Sequence, residues 1–246
     1  MGARPVEAVV GLGLPRAFKA TQVRALYRGL KAAARRFGCA VVGGDTNRSA
    51  SGWVIAVAAA GECDGPPVLR SGVRPGDSLW VTGTLGTAAL GWESRRRGKR
   101  SPVLAPFQRR HARPEPRLRW GEALRKSGWI GAMIDVSDGL AGDVRHLAEA
   151  SGVGFRIAVE AVPRHPRFMT LCRRLELSWL RLLLGGGEDY ELLFTVRRGK
   201  ERDAAQYFKR HRIPAARIGE ARPGGAVQFF QNGKGLLRQV DGFRHF

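Results

Sequence analysis

Two short acidic segments contain the residue types that bind metal ions and phosphates. Residues 135–140 read Asp-Val-Ser-Asp-Gly-Leu, and residues 185–192 read Gly-Gly-Gly-Glu-Asp-Tyr-Glu-Leu, although the chain carries a formal net charge of +21. Neighbouring carboxylates repel one another unless a cation or a proton lies between them. Magnesium carrying a phosphorylated ligand meets this requirement, because it binds carboxylate and phosphate oxygens.

The first segment joins a predicted strand, residues 131–135, to a predicted helix, residues 140–150. The start of a helix offers free N–H groups to an anion. A simpler alternative is that Ser137 or Asp138 only caps the helix. That alternative does not account for Asp135, so the two carboxylates together favour a metal and nucleotide site.

The second segment precedes a predicted strand over residues 190–196. Its three glycines permit positive φ angles and the close approach of a ligand. Glu188 and Asp189 are therefore candidates to bind a cationic ring, or to position a substrate phosphate through a metal ion. The alternative is a glycine-rich turn with solvated acids.

A third candidate is the sequence Gly-Gly-Asp-Thr at residues 43–46, predicted to form a turn after a buried strand over residues 39–42. Its aspartate, Asp45, can hold a metal that bridges phosphate oxygens, although the same sequence is typical of ordinary turns. The chain has no P-loop motif, and its five histidines are scattered without a nucleophile. If a nucleotide binds here, metal ions and glycine turns hold its phosphates.

Alternating helical and strand patterns place the chain in the mixed α/β class. An amphipathic helix is predicted over residues 21–37. The glycine- and proline-rich residues 61–76 form a predicted linker, which divides the chain into domains 1–65 and 66–246. Further helices are predicted over residues 118–126, 166–175 and 201–211, and further strands over residues 53–60, 78–82, 155–159, 216–219 and 227–230.

The basic excess is mostly arginine and is densest at residues 95–100, with a second group at residues 109–111. A nucleic-acid or anion patch is one interpretation. A solvated loop is favoured instead, because no aromatic residue interrupts the run and no helix-turn-helix or zinc-finger spacing accompanies it. A non-catalytic, basic, nucleic-acid-binding fragment is kept as an alternative function.

The three cysteines form no Cys-x-x-Cys pair, which argues against a zinc site and a disulfide framework. No apolar run approaches the ~20 residues that span a bilayer. We therefore expect a cytoplasmic protein without a membrane partner.

Five motifs in order resemble the thiamine-monophosphate kinase family, whose superfamily includes aminoimidazole ribonucleotide synthetase and selenophosphate synthetase. The second acidic segment and the C-terminal Gly-Phe-Arg-His-Phe favour the thiamine enzymes among these. The motifs are residues 43–46, 70–77, 135–140, 186–192 and 242–246.

The resemblance implies a two-domain α/β protein with the architecture of aminoimidazole ribonucleotide synthetase. It implies transfer of the γ-phosphoryl group of ATP to thiamine monophosphate, with Mg²⁺ as cofactor and ATP as co-substrate. Residues 1–65 would be the remnant of an ATP- and Mg²⁺-binding domain that pairs in a homodimer, and residues 66–246 the C-terminal domain. Another ATP-dependent enzyme of the same superfamily is the alternative.

The resemblance also implies roles for individual residues, and it assigns no catalytic side chain because the acceptor phosphate is already ionised. The implied ATP contacts are Gly44, Asp45, Arg70, Ser137 and Tyr27. The implied magnesium ligands are Asp45, Asp135 and Asp138, and the implied substrate contacts are Glu188 and Phe243.

The chain departs from the family pattern at both ends. The sequence from Met1 to Pro5 resembles an internal family segment, which a Gly-Asp-Asp motif and further magnesium-binding aspartates normally precede. We therefore expect that the chain lacks this N-terminal segment and that its turnover is weak or absent. Arg244 stands where the family commonly has an aspartate.

Overall fold

The computed structural model describes residues 1–236, which divide into two units within the mixed α/β class that the sequence predicts. The smaller unit is Ala3–Pro66. The larger unit combines residues 1–2 with the chain from Pro67 onward. The division falls within the glycine- and proline-rich stretch.

The smaller unit is a three-stranded sheet with one helix. Strand β1 lies in the centre, parallel to β2 and antiparallel to β3, and its side chains Val10, Leu12 and Leu14 are buried against helix α1. The helix ends at Gly38, whose φ of +67° is accessible to glycine without strain. The bounds are β1 (Arg4–Leu14), α1 (Ala20–Phe37), β2 (Ala40–Arg48) and β3 (Val54–Glu62).

The sequence Gly-Gly-Asp-Thr lies inside β2, so its assignment to a turn is wrong. Pairing with β1 continues through Gly44, opposite Val10, to Arg48, opposite Leu14. A Cβ atom on Gly44 would clash with the carbonyl oxygen of Val10, so this glycine permits the two strands to approach. Every residue of β2 and β3 is exposed, including several valines.

The larger unit is built on a seven-stranded mixed sheet in the order β10-β9-β6-β8-β4-β7-β5. Its strands are β4 (Ser78–Thr82), β5 (Ile130–Asp135), β6 (Gly154–Ala158), β7 (Leu192–Val196), β8 (Ala215–Arg222), β9 (Val227–Gln231) and β10 (Lys234–Gly235). Its helices are α2 (Thr87–Arg96), α3 (Ala105–Ala112), α4 (Leu118–Lys126), α5 (Leu140–Ser151), α6 (Phe168–Arg174), α7 (Trp179–Gly185) and α8 (Glu201–Arg210).

Both faces of this sheet are covered, which is why β4 and β7 are buried along their whole length. Successive residues of β4 point to opposite faces. Leu79 and Val81 join the core that contains α2, α3 and α5–α7, whereas Trp80 joins the core under α4 and α8.

The antiparallel pairing of β5 with β7 positions the two acidic segments. Asp135, the last residue of β5, is opposite Leu192, the first residue of β7. The chain that leaves β5 therefore runs beside the chain that enters β7.

The arginine-rich run at residues 95–100 is a loop over residues 97–100, as predicted, but helices extend into its start and into residues 109–111. Arg95 and Arg96 belong to the last turn of α2, and Arg109 and Arg110 lie on α3. Helix α3 is anchored by one buried side chain, Phe107, in an otherwise polar sequence. Among residues 1–236, no helix combines the length and apolar character needed to cross a membrane.

Candidate functional site

The two acidic segments lie side by side. Residues 135–139 form what we call the first turn, and residues 185–191 form the second turn. The amide of Glu188 donates to the carbonyl of Ser137 at 2.8 Å, and the amide of Tyr190 donates to the carbonyl of Val136 at 2.9 Å. In return, the amide of Val136 donates to the carbonyl of Glu191 at 2.8 Å. These bonds extend the β5–β7 pairing into the two turns.

Glycine permits this close contact. A Cβ atom on Gly187 would clash with the carbonyl oxygen of Ser137, and one on Gly139, whose φ is +99°, would lie 2.8 Å from the carbonyl carbon of Gly185. Because both obstacles are backbone atoms, they cannot move aside as a flexible side chain can. The spacing between the two turns is therefore set by glycine.

Replacing Gly187 with alanine is expected to destabilise the protein by about 1–3 kcal/mol, because the methyl group must push the two turns apart. Gly225→Ala is the matched control, since a Cβ atom at Gly225 meets nothing within 4 Å and its φ is not positive. Urea unfolding of both variants measures the difference. Equal midpoints would contradict the close approach of the turns.

A buried aspartate on α5 holds the first turn. Asp143 accepts hydrogen bonds from the amides of Ser137, at 3.1 Å, and Asp138, at 3.2 Å. Burial raises the pKa of Asp143 to about 7, and the charges of Asp138 and Asp135 add to this effect. The N-cap of α5 is Gly139, which has no side chain, so neither Ser137 nor Asp138 caps this helix.

Asp138, Asp143 and His146 form a group that could hold a metal ion. One ligand atom of each lies within 4.8 Å of the others, and Nε2 of His146 is 3.6 Å from Oδ2 of Asp138. A buried carboxylate with neighbouring negative charges favours a bound cation, so this donor set fits a divalent ion. Sequence reasoning missed Asp143 and His146, although residues three apart share one face of a helix.

The second turn adds a further carboxylate to the same region. Burial raises the pKa of the Tyr190 hydroxyl, and the charges of Glu188, Asp135 and Asp138 raise it further. The side chains of Glu188, Asp135 and Asp138 therefore lie near one hydroxyl group, that of Tyr190. The structure brings Asp135, Ser137, Asp138 and Glu188 together.

The other two acids of the second turn face inward. Asp189 is fully buried and accepts hydrogen bonds from the amides of Gly86, at 2.6 Å, and Ala88, at 2.9 Å, at the start of α2. Burial raises the pKa of Asp189 to about 7. Asp189 therefore supports α2 from inside the protein, and Glu188 is the exposed acid of this turn.

Glu191 is held by two arginines and a threonine. Its carboxylate accepts hydrogen bonds from Arg110 at 2.6 Å, from Arg117 at 2.7 and 3.0 Å, and from the hydroxyl of Thr82 at 2.7 Å. Arg110 also donates to the carbonyl of Asp189 at 2.6 Å. These contacts fix the backbone of the second turn from α3 and from the start of α4.

The remaining predicted site residues lie outside these two turns in the sequence. The carbonyl of Arg70 accepts a hydrogen bond from Ser151 at the far end of α5, and within residues 1–236 no hydrogen bond or ion pair joins its side chain to either turn. Gly44, Asp45 and Tyr27 belong to the smaller unit, where the Asp45 carboxylate accepts from its neighbours' nitrogen atoms and Tyr27 packs against β1. Phe243 lies outside the described residues.

Both units match known protein families. The AIR synthase related protein, C-terminal domain, matches residues 74–231, and the corresponding N-terminal domain matches residues 1–63. Thiamine-monophosphate kinase of Bacillus subtilis is 31% identical over the whole chain, which covers 76% of that relative. The Mycobacterium tuberculosis relative is 41% identical over 78% of the chain, but the chain spans only 57% of its length.

Solved structures agree with this assignment. The structure of AaThiL complexed with AMPPCP and TMP superposes with a TM-score of 0.86 at 33% identity, covering 100% of this chain and 75% of that one. The hydrogenase maturation protein HypE of E. coli, at 21% identity and a TM-score of 0.73, covers 98% of this chain and 76% of that one, and shares the fold alone. The prediction from the motifs is confirmed: the chain belongs to the thiamine-monophosphate kinase family of AIR synthase related proteins.

Proposed function

We propose that the protein transfers the γ-phosphoryl group of ATP to thiamine monophosphate, which yields thiamine diphosphate and ADP. The observation that carries this proposal is the meeting of Asp135 and Asp138 with Glu188 at one edge of the sheet. Family membership and the likeness to AaThiL, which was solved with AMPPCP and TMP, support the choice of substrates.

Asp135 and Asp138 are the proposed Mg²⁺ ligands in the larger unit, and Asp45 is the proposed ligand in the smaller one. When bound, Mg²⁺ neutralises charge on the phosphate oxygens. Asp143 contributes by holding the amides of Ser137 and Asp138, which keeps the first turn in one conformation.

The proposed ATP contacts are Gly44, Asp45, Arg70, Ser137 and Tyr27. The proposed substrate contacts are Glu188, as an exposed carboxylate facing the thiamine moiety, and Phe243. No side chain needs to remove a proton, because a phosphate that attacks phosphorus is already ionised at neutral pH. The protein's task is then to position the two phosphates and to offset their charge.

Residues 1–65 are proposed to serve ATP binding and pairing in a homodimer. The exposed apolar side chains of β2 and β3, among them Val42, Ile55 and Val57, support this pairing. Burying such an apolar surface against a second protein surface is energetically favourable. A cytoplasmic location is proposed from the three free cysteines.

The proposal is tested by incubating the protein with ATP, Mg²⁺ and thiamine monophosphate and separating the products by chromatography. Equilibrium dialysis of each ligand is measured alongside, because binding does not require every catalytic group. We expect saturable binding of thiamine monophosphate and, where turnover occurs, one ADP for each thiamine diphosphate. Absence of both binding and product would overturn the proposal.

A further inference from the structure

Glu188 has a side-chain partner that the motifs do not include. Nδ1 of His111, on α3, is 2.7 Å from Oε2 of Glu188. The histidine side chain is 21% exposed and the glutamate 53%, so the pair lies at the surface with the carboxylate outermost. His111 can therefore fix the carboxylate while leaving it accessible to a ligand.

His111 is itself held by an aromatic neighbour. The ring centroid of Trp92, on α2, lies 5.1 Å from that of His111. The two rings meet because α2 and α3 pack closely: a Cβ atom on Gly91 would clash with the carbonyl oxygen of Phe107. Trp92 nevertheless remains 48% exposed, which is unusual for so large an apolar side chain.

The backbone of the second turn adopts conformations that few residues tolerate. Glu188 has a φ of +65° and Tyr190 a φ of +48°, in a region that favours glycine. Such conformations cost about 1–3 kcal/mol each and persist where the surroundings enforce them. Here Arg110 and the carbonyl of Ser137 hold the backbone, and the carboxylate is directed to His111.

We propose that His111 is a positioning residue for substrate recognition, which fixes the carboxylate of Glu188 through Nδ1 while its ring contacts the exposed indole of Trp92. This inference rests on the proposed function. A carboxylate and an exposed aromatic ring that contact the same histidine suit a cationic ring as ligand, because a cation is attracted both by the negative charge and by the π electrons. Thiamine monophosphate carries such a ring in its positively charged thiazolium.

The test compares His111→Phe with His111→Asn. Phenylalanine keeps a ring against Trp92 but cannot donate to Glu188, whereas the amide of asparagine places a donor near the position of Nδ1. Losing a hydrogen bond to a charged group should weaken binding of thiamine monophosphate about 10-fold in His111→Phe. His111→Asn should recover affinity to within about 3-fold of the wild type, and ATP–Mg²⁺ affinity should not change in either variant.

His211→Phe is the matched control, because His211 stacks on Tyr207 with ring centroids 4.0 Å apart and caps α8, away from the acidic turns. It should leave both affinities unchanged. If His111→Phe does not fold, Trp92→Leu replaces it, since an exposed residue tolerates substitution. Loss of this stacking ring should weaken thiamine monophosphate binding about 3-fold.

The possible outcomes separate this inference from the proposed function. If the wild type binds thiamine monophosphate and His111→Phe binds it equally well, the inference alone is overturned. If His111→Phe loses affinity for both ATP–Mg²⁺ and thiamine monophosphate, and His111→Asn does not restore it, the role of His111 is merely structural. That result would also overturn the inference. If the wild type does not bind thiamine monophosphate at all, the proposed function and this inference both fail.

Discussion

Replacing Glu191 with alanine is expected to destabilise the larger unit by about 3–5 kcal/mol, because it leaves two largely buried arginines without a counter-ion. Glu191 is 2% exposed, and its partners Arg110 and Arg117 are 17% and 15% exposed. Thr82 also loses the acceptor of its hydroxyl group. Since whole domains are stable by only about 5–15 kcal/mol, this loss is a large share of the total.

Chemical unfolding of Glu191→Ala, compared with Glu122→Ala, measures this effect. Glu122 pairs with Lys126 on the exposed face of α4 at 2.6 Å, and such surface pairs contribute about 0–1 kcal/mol. The combined variant Glu191→Leu, Arg110→Met and Arg117→Met should recover part of the loss, because it leaves no unpaired buried charge. A loss below about 1 kcal/mol in Glu191→Ala would contradict the buried ion-pair network.

The core strands and the amphipathic helices could be predicted because their patterns are strong. The strand predicted at residues 78–82 is β4 itself, and the helix predicted at residues 118–126 is α4 itself. Strand β1 was missed because glycines alternate with its buried leucines, which weakens the strand signal. Helix α3 was missed because its anchor is one residue, Phe107, so its polar sequence has the composition of a loop.

At the site, the sequence identifies the acidic residues but does not show which of them are exposed and which are buried. Glu188, Asp189 and Glu191 are neighbours in one motif, yet the first is exposed while the other two are buried. The difference depends on partners about 75 to 105 residues earlier in the chain, at α2, α3 and the start of α4. No local pattern contains those contacts, and the same holds for the approach of His111 to Glu188.

The meeting of the two turns was predictable in part. A strand that ends in Asp135 and another predicted over residues 190–196 are both apparent in the sequence. Their adjacency depends on sheet order, which alternating patterns do not determine. The structure supplies that order by pairing β5 with β7.

Asp138→Asn is expected to weaken Mg²⁺-dependent ATP binding about 100-fold, and to leave the weaker binding measured in EDTA unchanged. Asparagine has the shape of aspartate, but it lacks the negative charge that attracts a divalent cation. The backbone amide at this position still donates to Asp143, so the first turn should keep its conformation. A 100-fold change corresponds to about 2.7 kcal/mol of binding free energy, which calorimetry resolves easily.

Glu149→Gln is the matched control for this variant, because it makes the same change of charge at an exposed position of the adjoining helix α5. It should alter ATP affinity less than 2-fold, since an exposed charge is screened by salt and solvent. Equal ATP affinities for Asp138→Asn and the wild type would remove Asp138 from the metal site. A loss of ATP affinity of similar size in both variants would instead assign the effect to the change in net charge. Only a metal ligand at position 138 would make Asp138→Asn the more damaging of the two variants.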